Sequence, residues 1–210
     1  MVTLFKKRGK LVGSVLIVLL WVLAYFYVFG DRYVPPAKEE VPRLTAQLFD
    51  RMDTKRENAA FRLGEIGPDA KDAVPYLIKA LNDVNVSVQQ AAVIALGKIG
   101  PDAKEAVPAL LDKLNDSNKF VREFAAISLG KIGPEPGVVD ALIKALDDED
   151  STVRGGAALG LYYIGPDAAP ALVKLTKMAE DPKEEPWVQD RAREAMNEID
   201  SKLETVKKEK

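Results

Sequence analysis

The sequence repeats itself with a period of about 33 residues, and this period constrains the fold more than any other feature. Residues 96–108 read LGKIGPDAKEAVP, and residues 63–75 read LGEIGPDAKDAVP. The core Leu-x-x-Ile-Gly-Pro begins four times at spacings of 33, 33 and 32 residues, at Leu63, Leu96, Leu129 and Leu161. A fixed period of this length is typical of a stacked repeat array. We therefore expect each unit to bury its apolar side against its neighbours.

Each repeat contains two stretches of helical periodicity. In residues 103–132, apolar side chains at helical spacing predict a first helix over 104–115 and a second over 119–132. Pro108 falls in the first turn of the first helix, where its missing N–H has no partner to lose. Gly133 and Pro134 end the second helix. About 33 residues with no strand pattern leave room for a helical hairpin and little else.

Small residues recur along the second helix of each hairpin. One column is always alanine, at Ala59, Ala92, Ala125 and Ala157. Glycine recurs at Gly64, Gly97 and Gly130, although a glycine inside a helix costs about 1 kcal/mol relative to alanine. We expect a neighbouring helix to approach these glycines too closely for a side chain.

The periodicity divides the chain into five hairpins, at 41–66, 68–99, 101–132, 134–164 and 166–204. The outer units are irregular, as the caps of an array are. Arg62 replaces the small residues of the later hairpins, and residues 181–186 lengthen the last loop. A charged tail follows at 205–210. The predicted fold class is all-α, a solenoid of about five helical hairpins.

The pattern of residues 121–134, Val-Arg-x-x-Ala-Ala-x-x-Leu-Gly-x-Ile-Gly-Pro, resembles the bacterial HEAT-like repeat, also called the phycobilisome-lyase type. The resemblance covers residues 41–204, so it includes every hairpin. It is specific for the fold and implies a HEAT-like α-solenoid. It is weak for function, because such repeats serve as scaffolds in many settings.

The first 30 residues differ from the repeats in charge and polarity. Residues 1–10 carry four basic side chains and no acid, and residues 11–29 contain no charge. At about 1.5 Å per residue the uncharged run spans roughly 28 Å, close to the thickness of a bilayer core. A cleaved signal peptide is the alternative, but its apolar region is shorter and ends in small residues. We predict a transmembrane helix at 11–30 and a linker at 31–40.

The charge asymmetry predicts the orientation of this anchor. The basic residues precede the apolar run and acids follow it, so the N-terminus is expected in the cytoplasm. In a bacterium, the repeat domain of such a single-pass protein lies in the periplasm or outside the cell. Residues 31–210 hold 26 basic and 32 acidic side chains, a net charge of −6. That sign disfavours nucleic acid as a partner.

The composition also argues against catalysis. The chain contains neither cysteine nor histidine, the commonest ligands for transition metals and haem. The recurring acids Asp69, Asp102 and Asp167 follow Gly-Pro, where first-turn carboxylates stabilise a helix dipole. We expect no enzyme activity, no catalytic residue, no metal, no cofactor and no small-molecule substrate.

Two sets of residues are candidates for a structural or binding role. The resemblance to HEAT-like repeats implies a hydrogen-bonded ladder between the inter-helix turns, in which an acid lies six residues before its partner: Asp83 and Gln89, Asp116 and Arg122, Asp148 and Arg154. Departures from the repeat concentrate in the fourth and fifth units: Tyr162-Tyr163 replace Gly130-Lys131, Gly155-Gly156 replace Glu123-Phe124, and Trp187 follows the lengthened loop. The candidate protein-binding set is Phe124, Tyr162, Tyr163 and Trp187. Tyrosine and tryptophan are enriched at interfaces. The same side chains could instead fill the gap where the small residues end.

Together these patterns predict a membrane-anchored scaffold that binds other proteins as an accessory subunit of a membrane-associated complex. A chromophore-modifying factor like the phycobilin lyases is one alternative, and it requires a deep apolar groove. A free-standing envelope protein without a stable partner is the other.

Overall fold

The computed structural model describes residues 37–208, with side chains described from 39 to 205. The predicted basic N-terminus at 1–10, the predicted transmembrane helix at 11–30 and most of the predicted linker at 31–40 lie outside this range. Among residues 37–208, no helix is long and apolar enough to cross a membrane.

The described chain is helical throughout and contains no strand. Its ten α-helices are α1 (Ala37–Gln47), α2 (Asp53–Ile66), α3 (Val74–Ala80), α4 (Val86–Ile99), α5 (Val107–Lys113), α6 (Lys119–Ile132), α7 (Val138–Ala145), α8 (Ser151–Ile164), α9 (Leu172–Glu180) and α10 (Pro186–Lys208). Short 3₁₀ helices, Gly67–Ala73, Gly100–Ala106 and Gly165–Ala171, precede α3, α5 and α9. The predicted all-α solenoid of helical hairpins is confirmed.

The helices form two layers. The odd-numbered helices, α1 to α9, are the A helices, and the even-numbered helices, α2 to α10, are the B helices. Each B helix packs beside the next and against the A helix of its own hairpin. The core is one continuous cluster between the layers, in which Leu63, Leu96, Leu129 and Leu161 are fully buried. The repeated leucine of the sequence motif is therefore the repeated element of the core.

Several boundaries differ from the sequence prediction. The first helix of the third hairpin, predicted over 104–115, is a 3₁₀ helix followed by the short α5. Pro108 explains the change, because it has no N–H to donate to the carbonyl of Lys104. Ala103 adds to it, with a non-helical backbone at φ −96° and ψ 17°.

The terminal helices are longer than predicted. Helix α1 starts at Ala37, inside the predicted linker, and α10 runs to Lys208, inside the predicted charged tail. The extra turn of α1 contains Glu40, which is buried and accepts a hydrogen bond of 3.4 Å from Arg62. Arg43 approaches the same carboxylate at 3.7 Å. The irregular Arg62 thus anchors the first turn of the cap.

The B helices approach each other at small residues. A Cβ added to Gly64 would lie 2.9 Å from the Cα of Ala95, and one added to Gly97 would lie 2.9 Å from the Cα of Ser128. A Cβ on Gly130 would lie 2.4 Å from the Cα of Gly160 and 2.2 Å from its carbonyl oxygen. The expectation of a close helix approach at the recurring glycines is confirmed.

These distances predict a graded series of stability losses. Gly130→Ala should lower the free energy of unfolding by about 1–3 kcal/mol, because backbone atoms block the new methyl group. That loss should exceed the gain of about 1 kcal/mol that alanine brings to an open helix position. Gly64→Ala should be milder, since its nearest contact is 2.9 Å. Thermal unfolding followed by circular dichroism measures both, with Asn197→Ala on the exposed side of α10 as the control. A raised melting temperature for Gly130→Ala would contradict the packing.

Candidate protein-binding surface

The turns between A and B helices lie along one edge, here called the turn edge, and arginines tie them together. Arg56, on α2, donates from Nε and Nη2 to the carboxylate of Asp83 in the next turn, at 2.6 and 2.8 Å. Its Nη1 donates to the backbone carbonyl of Asp50 at 2.9 Å. One guanidinium therefore closes its own turn and holds the next. Arginine's planar fork suits this double role.

The same arrangement recurs at Arg122 and Arg154. Arg122 donates to both carboxylate oxygens of Asp148 at 2.9 Å and to the carbonyl of Asp116 at 3.0 Å. Arg154 donates to the carbonyl of Asp148 at 2.8 Å. Its forward partner is Glu184, at 2.7 and 2.6 Å. The predicted ladder residues are thus brought together, each arginine with the backbone of its own turn and the carboxylate of the next.

One rung is missing between the second and third turns. Gln89 donates to the carbonyl of Asp83 at 2.6 Å, which closes its own turn. An amide lacks the reach and charge of a guanidinium, and Asp116 in the next turn instead pairs with Lys113 at 3.1 Å. In the structure Gln89 keeps the local bond while Asp116 takes a lysine of its own hairpin.

Sequence reasoning missed the two ends of the ladder. Arg56 lies six residues after Asp50, so the spacing used for the other pairs identifies it. Glu184 belongs to the lengthened loop of the last hairpin, where no repeat spacing applies. Hydrogen bonds from the partner arginines are the main cause that lowers the pKa of Asp83, beside Arg56, and of Glu184, beside Arg154.

A row of apolar side chains crosses the B helices away from the core. Phe61, Ile94, Ile127 and Leu159 occupy the same repeat position on α2, α4, α6 and α8. Phe61 is 52% exposed, the other three are half-buried, and none of the four belongs to the core cluster. We call this surface the B face. The sequence alone does not distinguish it, because its apolar residues have the same periodicity as core positions.

Charged side chains flank the apolar row on both sides. Towards the C-terminal ends of the B helices, Lys98 lies 5.4 Å above the ring of Phe61 and pairs with Glu65 at 2.5 Å. On the next helix, Lys131 lies 5.2 Å above the ring of Tyr163. On the other side lies Glu123, whose pKa is raised mainly by burial.

The predicted aromatic set does not form one patch. Tyr162 and Tyr163 contact each other edge to face, with ring centroids 5.6 Å apart, near the C-terminal end of α8. Trp187 lies against Gly155 near the other end of α8, eight residues before Tyr163. Eight residues of helix span about 12 Å. The structure therefore separates Trp187 from the tyrosine pair.

Packing explains most of this aromatic set. Phe124 and Tyr162 are half-buried and pack against the core. A Cβ on Gly155 would lie 2.3 Å from the Trp187 ring, so the glycine makes room for the indole. Tyr163 is 44% exposed and lies at the edge of the B face. Trp187 is also 42% exposed, so Tyr163 and Trp187 are the two of the four that a partner could contact, and the binding role of the set stays a prediction.

The described residues offer no assembled metal site. Within residues 37–208, no group of three or more acidic side chains is arranged to hold a metal ion. The depressions described on the surface are open to solvent, including one that Leu111, Ala141 and Asp148 help to line.

Comparison with known proteins agrees with this architecture. A family model described as HEAT repeats matches residues 41–112 and 107–197. No curated protein matches the chain in sequence. The complex of CpcE and CpcF of phycocyanin lyase from Nostoc sp. PCC7120 is 28% identical, with a TM-score of 0.66, over 77% of this chain and 65% of that chain.

Two engineered proteins are also similar. The crystal structure of one engineered protein is 27% identical, with a TM-score of 0.61, over 80% of this chain and 85% of that chain. A designed armadillo repeat protein in complex with the peptide (KR)4 is 20% identical, with a TM-score of 0.59, over 77% of this chain and 86% of that chain. At that identity the second likeness concerns the fold alone.

The missing rung predicts opposite effects for two substitutions. Gln89→Arg should pair with Asp116 and raise the free energy of unfolding by roughly 0.5–1.5 kcal/mol. Arg122→Gln should lower it by about 1–3 kcal/mol, because Asp148 loses its bidentate partner. Chemical denaturation measures both changes. Equal effects of the two substitutions would show that the ladder does not couple the turns.

The ladder also predicts an acid-sensitive stability. Because the pKa of Glu184 is lowered in the folded protein, its ion pair stabilises the fold above the unfolded-state pKa, near 4.3. That stability is lost as the pH falls through the lower folded-state value. Arg154→Gln should therefore shrink the loss of stability between about pH 5 and pH 2. Arg193→Gln, in an exposed pair with Asp190, is the matched control and should leave the pH profile unchanged.

Proposed function

This chain belongs to the HEAT repeat family, and we propose that it is a membrane-anchored scaffold that binds another protein along the B face. The observation that carries the proposal is the apolar row at the B face. One apolar side chain from each of the first four hairpins stays outside the core and partly exposed, and the four occupy equivalent positions on successive B helices. A partly exposed apolar strip flanked by charges is typical of a protein interaction site.

The dimensions of the row favour an elongated partner. Adjacent packed helices lie about 8–10 Å apart, so four B helices present a strip roughly 24–30 Å long. A helix of about 16–20 residues covers that length. Lys98 and Lys131 lie along one side of the strip, and Glu57 and Glu123 occupy equivalent repeat positions on the other. The best match is an amphipathic helix with an apolar stripe, acids on one side and bases on the other.

The membrane anchor is part of the proposal and rests on the sequence. Residues 11–29 carry no charge and follow four basic residues, which supports a single pass with the N-terminus in the cytoplasm. The repeat domain is then periplasmic or extracellular. A tether of this kind concentrates the scaffold near other membrane proteins. We therefore propose an accessory subunit of a membrane-associated complex that works by binding, without catalysis.

A chromophore-modifying function is the second candidate. It is favoured by the 28% identity to the CpcE and CpcF complex of phycocyanin lyase. This hypothesis predicts that the purified chain changes the absorption spectrum of an added bilin. The scaffold hypothesis predicts an unchanged spectrum.

The B face gives the central test of the scaffold role. Ile94→Glu with Ile127→Glu should weaken retention of a co-purifying partner at least about tenfold, because two charges would enter the apolar contact. Partner retention is measured by mild detergent extraction of the full chain followed by quantitative mass spectrometry. Val173→Glu on α9 is the matched control, since Val173 is 69% exposed but lies on an A helix.

Two results would contradict the scaffold role. One is a wild-type chain that runs at monomer mass with no partner, which would favour the free-standing envelope protein. The other is an equal loss of partner for the Val173→Glu control. Circular dichroism must show that the double variant keeps its helical content.

A further inference from the structure

The turn edge carries an exposed apolar cluster at its N-terminal end. Phe49 and Met52 lie in the turn between α1 and α2, Val84 lies in the turn between α3 and α4, and Tyr76 lies on α3. Their exposed fractions are 57%, 55%, 96% and 39%, respectively. We call these four residues the apolar edge. Three large apolar side chains exposed on two neighbouring turns, beside an exposed tyrosine on α3, point to a contact outside the solenoid.

The apolar edge is held in place by polar contacts beneath it. The rings of Phe49 and Tyr76 contact each other edge to face, with their centroids 6.2 Å apart. Asn85 donates from Nδ2 to the carboxylate of Asp53 at 2.8 Å, which joins the residues next to Val84 and Met52. The Arg56 rung of the ladder joins the same two turns. The apolar side chains are therefore presented on a fixed base.

Met52 occupies a position that normally caps a helix. The equivalent residues Asn85, Asn118 and Asp150 each accept a hydrogen bond from the first turn of the next B helix. Met52 makes no such bond, and its side chain is exposed. A capping side chain stabilises a helix, and the first B helix lacks this one. Met52 therefore places an exposed apolar side chain where the later units have a polar capping side chain.

Basic side chains slightly outnumber acidic side chains around the apolar edge. Arg51 and Lys79 are exposed, and Lys79 lies 5.7 Å above the ring of Tyr76. Asp50 pairs with Lys55, and Asp83 pairs with Arg56. Including Asp53, four bases face three acids, although residues 31–210 carry a net charge of −6. Later turns carry Ser117 and Glu149 at the position of Val84.

We propose that the apolar edge binds the surface of a lipid bilayer, with Phe49, Met52 and Val84 at the boundary between headgroups and acyl chains. Aromatic side chains with flanking lysine and arginine suit this boundary, because their apolar parts enter it while their charges stay in water. The edge belongs to the two hairpins nearest in sequence to the uncharged run at 11–29. Residues 30–36 lie between that run and the start of α1 in the sequence. The proposal rests on the proposed anchor.

The absence of cysteine makes the proposal directly testable. Single cysteines introduced by Met52→Cys, Val84→Cys and Val173→Cys in the full chain accept an environment-sensitive fluorophore. The labelled proteins are reconstituted into vesicles of phosphatidylcholine and phosphatidylglycerol that contain a lipid-attached quencher at shallow depth. Labels at 52 and 84 should be quenched at least about twofold more than the label at 173, since interfacial side chains lie roughly 5–10 Å deep. Equal quenching at the three positions overturns the proposal.

A fourth label separates this proposal from the anchor on which it rests. Leu20→Cys, in the uncharged run, should be reached by a quencher placed deep in the bilayer. Quenching at 20 without quenching at 52 keeps the anchor and overturns the apolar edge as a lipid contact. Quenching at 52 without quenching at 20 supports the edge and overturns the anchor. Quenching at neither position overturns both.

A substitution distinguishes lipid from protein as the occupant. Phe49→Asp with Val84→Asp should halve, at least roughly, the shallow quenching of the label at 52, because charge is expelled from the interface. Helical content by circular dichroism confirms that the variant is folded. If the label at 52 responds only when membrane proteins are added to the vesicles, and not to lipid alone, the edge is a protein interface and the proposal fails.

Discussion

The close contact between successive B helices is the constraint on which the rest of the structure depends. Gly64, Gly97 and Gly130 each let the next helix approach at backbone distance, against Ala95, Ser128 and Gly160 in turn. Ser128 also donates a buried hydrogen bond of 2.9 Å to the carbonyl of Val93. Because a glycine meets a small residue in each of the first three pairs of hairpins, the first four hairpins stack in the same register. That common register places equivalent outward positions in line, and it produces both the apolar row of the B face and the arginine ladder of the turn edge.

The ladder adds a second constraint at the edge, and it is uneven along the array. Arg56, Arg122 and Arg154 each hold the following turn through a carboxylate, whereas Gln89 closes only its own turn. The second and third hairpins are therefore joined by apolar packing without a bidentate ion pair. In a linear array each hairpin contacts only the adjacent hairpins, so each interface makes its own contribution to the stability. The interface between α4 and α6 has the close helix packing but lacks the arginine rung. Local unfolding should therefore occur most readily at this interface.

The sequence predicts what repeats and fails on what occurs once. The period, the paired helices and the glycine column are visible because each appears three or more times. The pair formed by Glu40 and Arg62 occurs only once among the described residues, and so does the pair formed by Arg154 and the loop residue Glu184. No repeat spacing therefore predicts either pair. The B face was missed for another reason: Ile94 and Ile127 have the period of a core residue, and only their position relative to the neighbouring helices separates them from Leu96. Trp187 and Tyr163 stood out as departures, but sequence distance gave no sign that Trp187, on α10, packs against Gly155, which lies about 12 Å along α8 from Tyr163.

The two proposed contacts are compatible because they use different parts of the same helices. Met52 lies at the N-terminal end of α2, and Phe61 lies nine residues further along it, about 13 Å away. A partner helix seated on the apolar row can therefore leave the turn edge free. Lipid contact at the first two turns would in turn hold the array in one orientation, with the row at a fixed height above the bilayer. A fixed orientation removes rotational freedom of the array before the partner binds. The entropy lost on binding is then smaller, so the partner binds more tightly without any new contact on the B face.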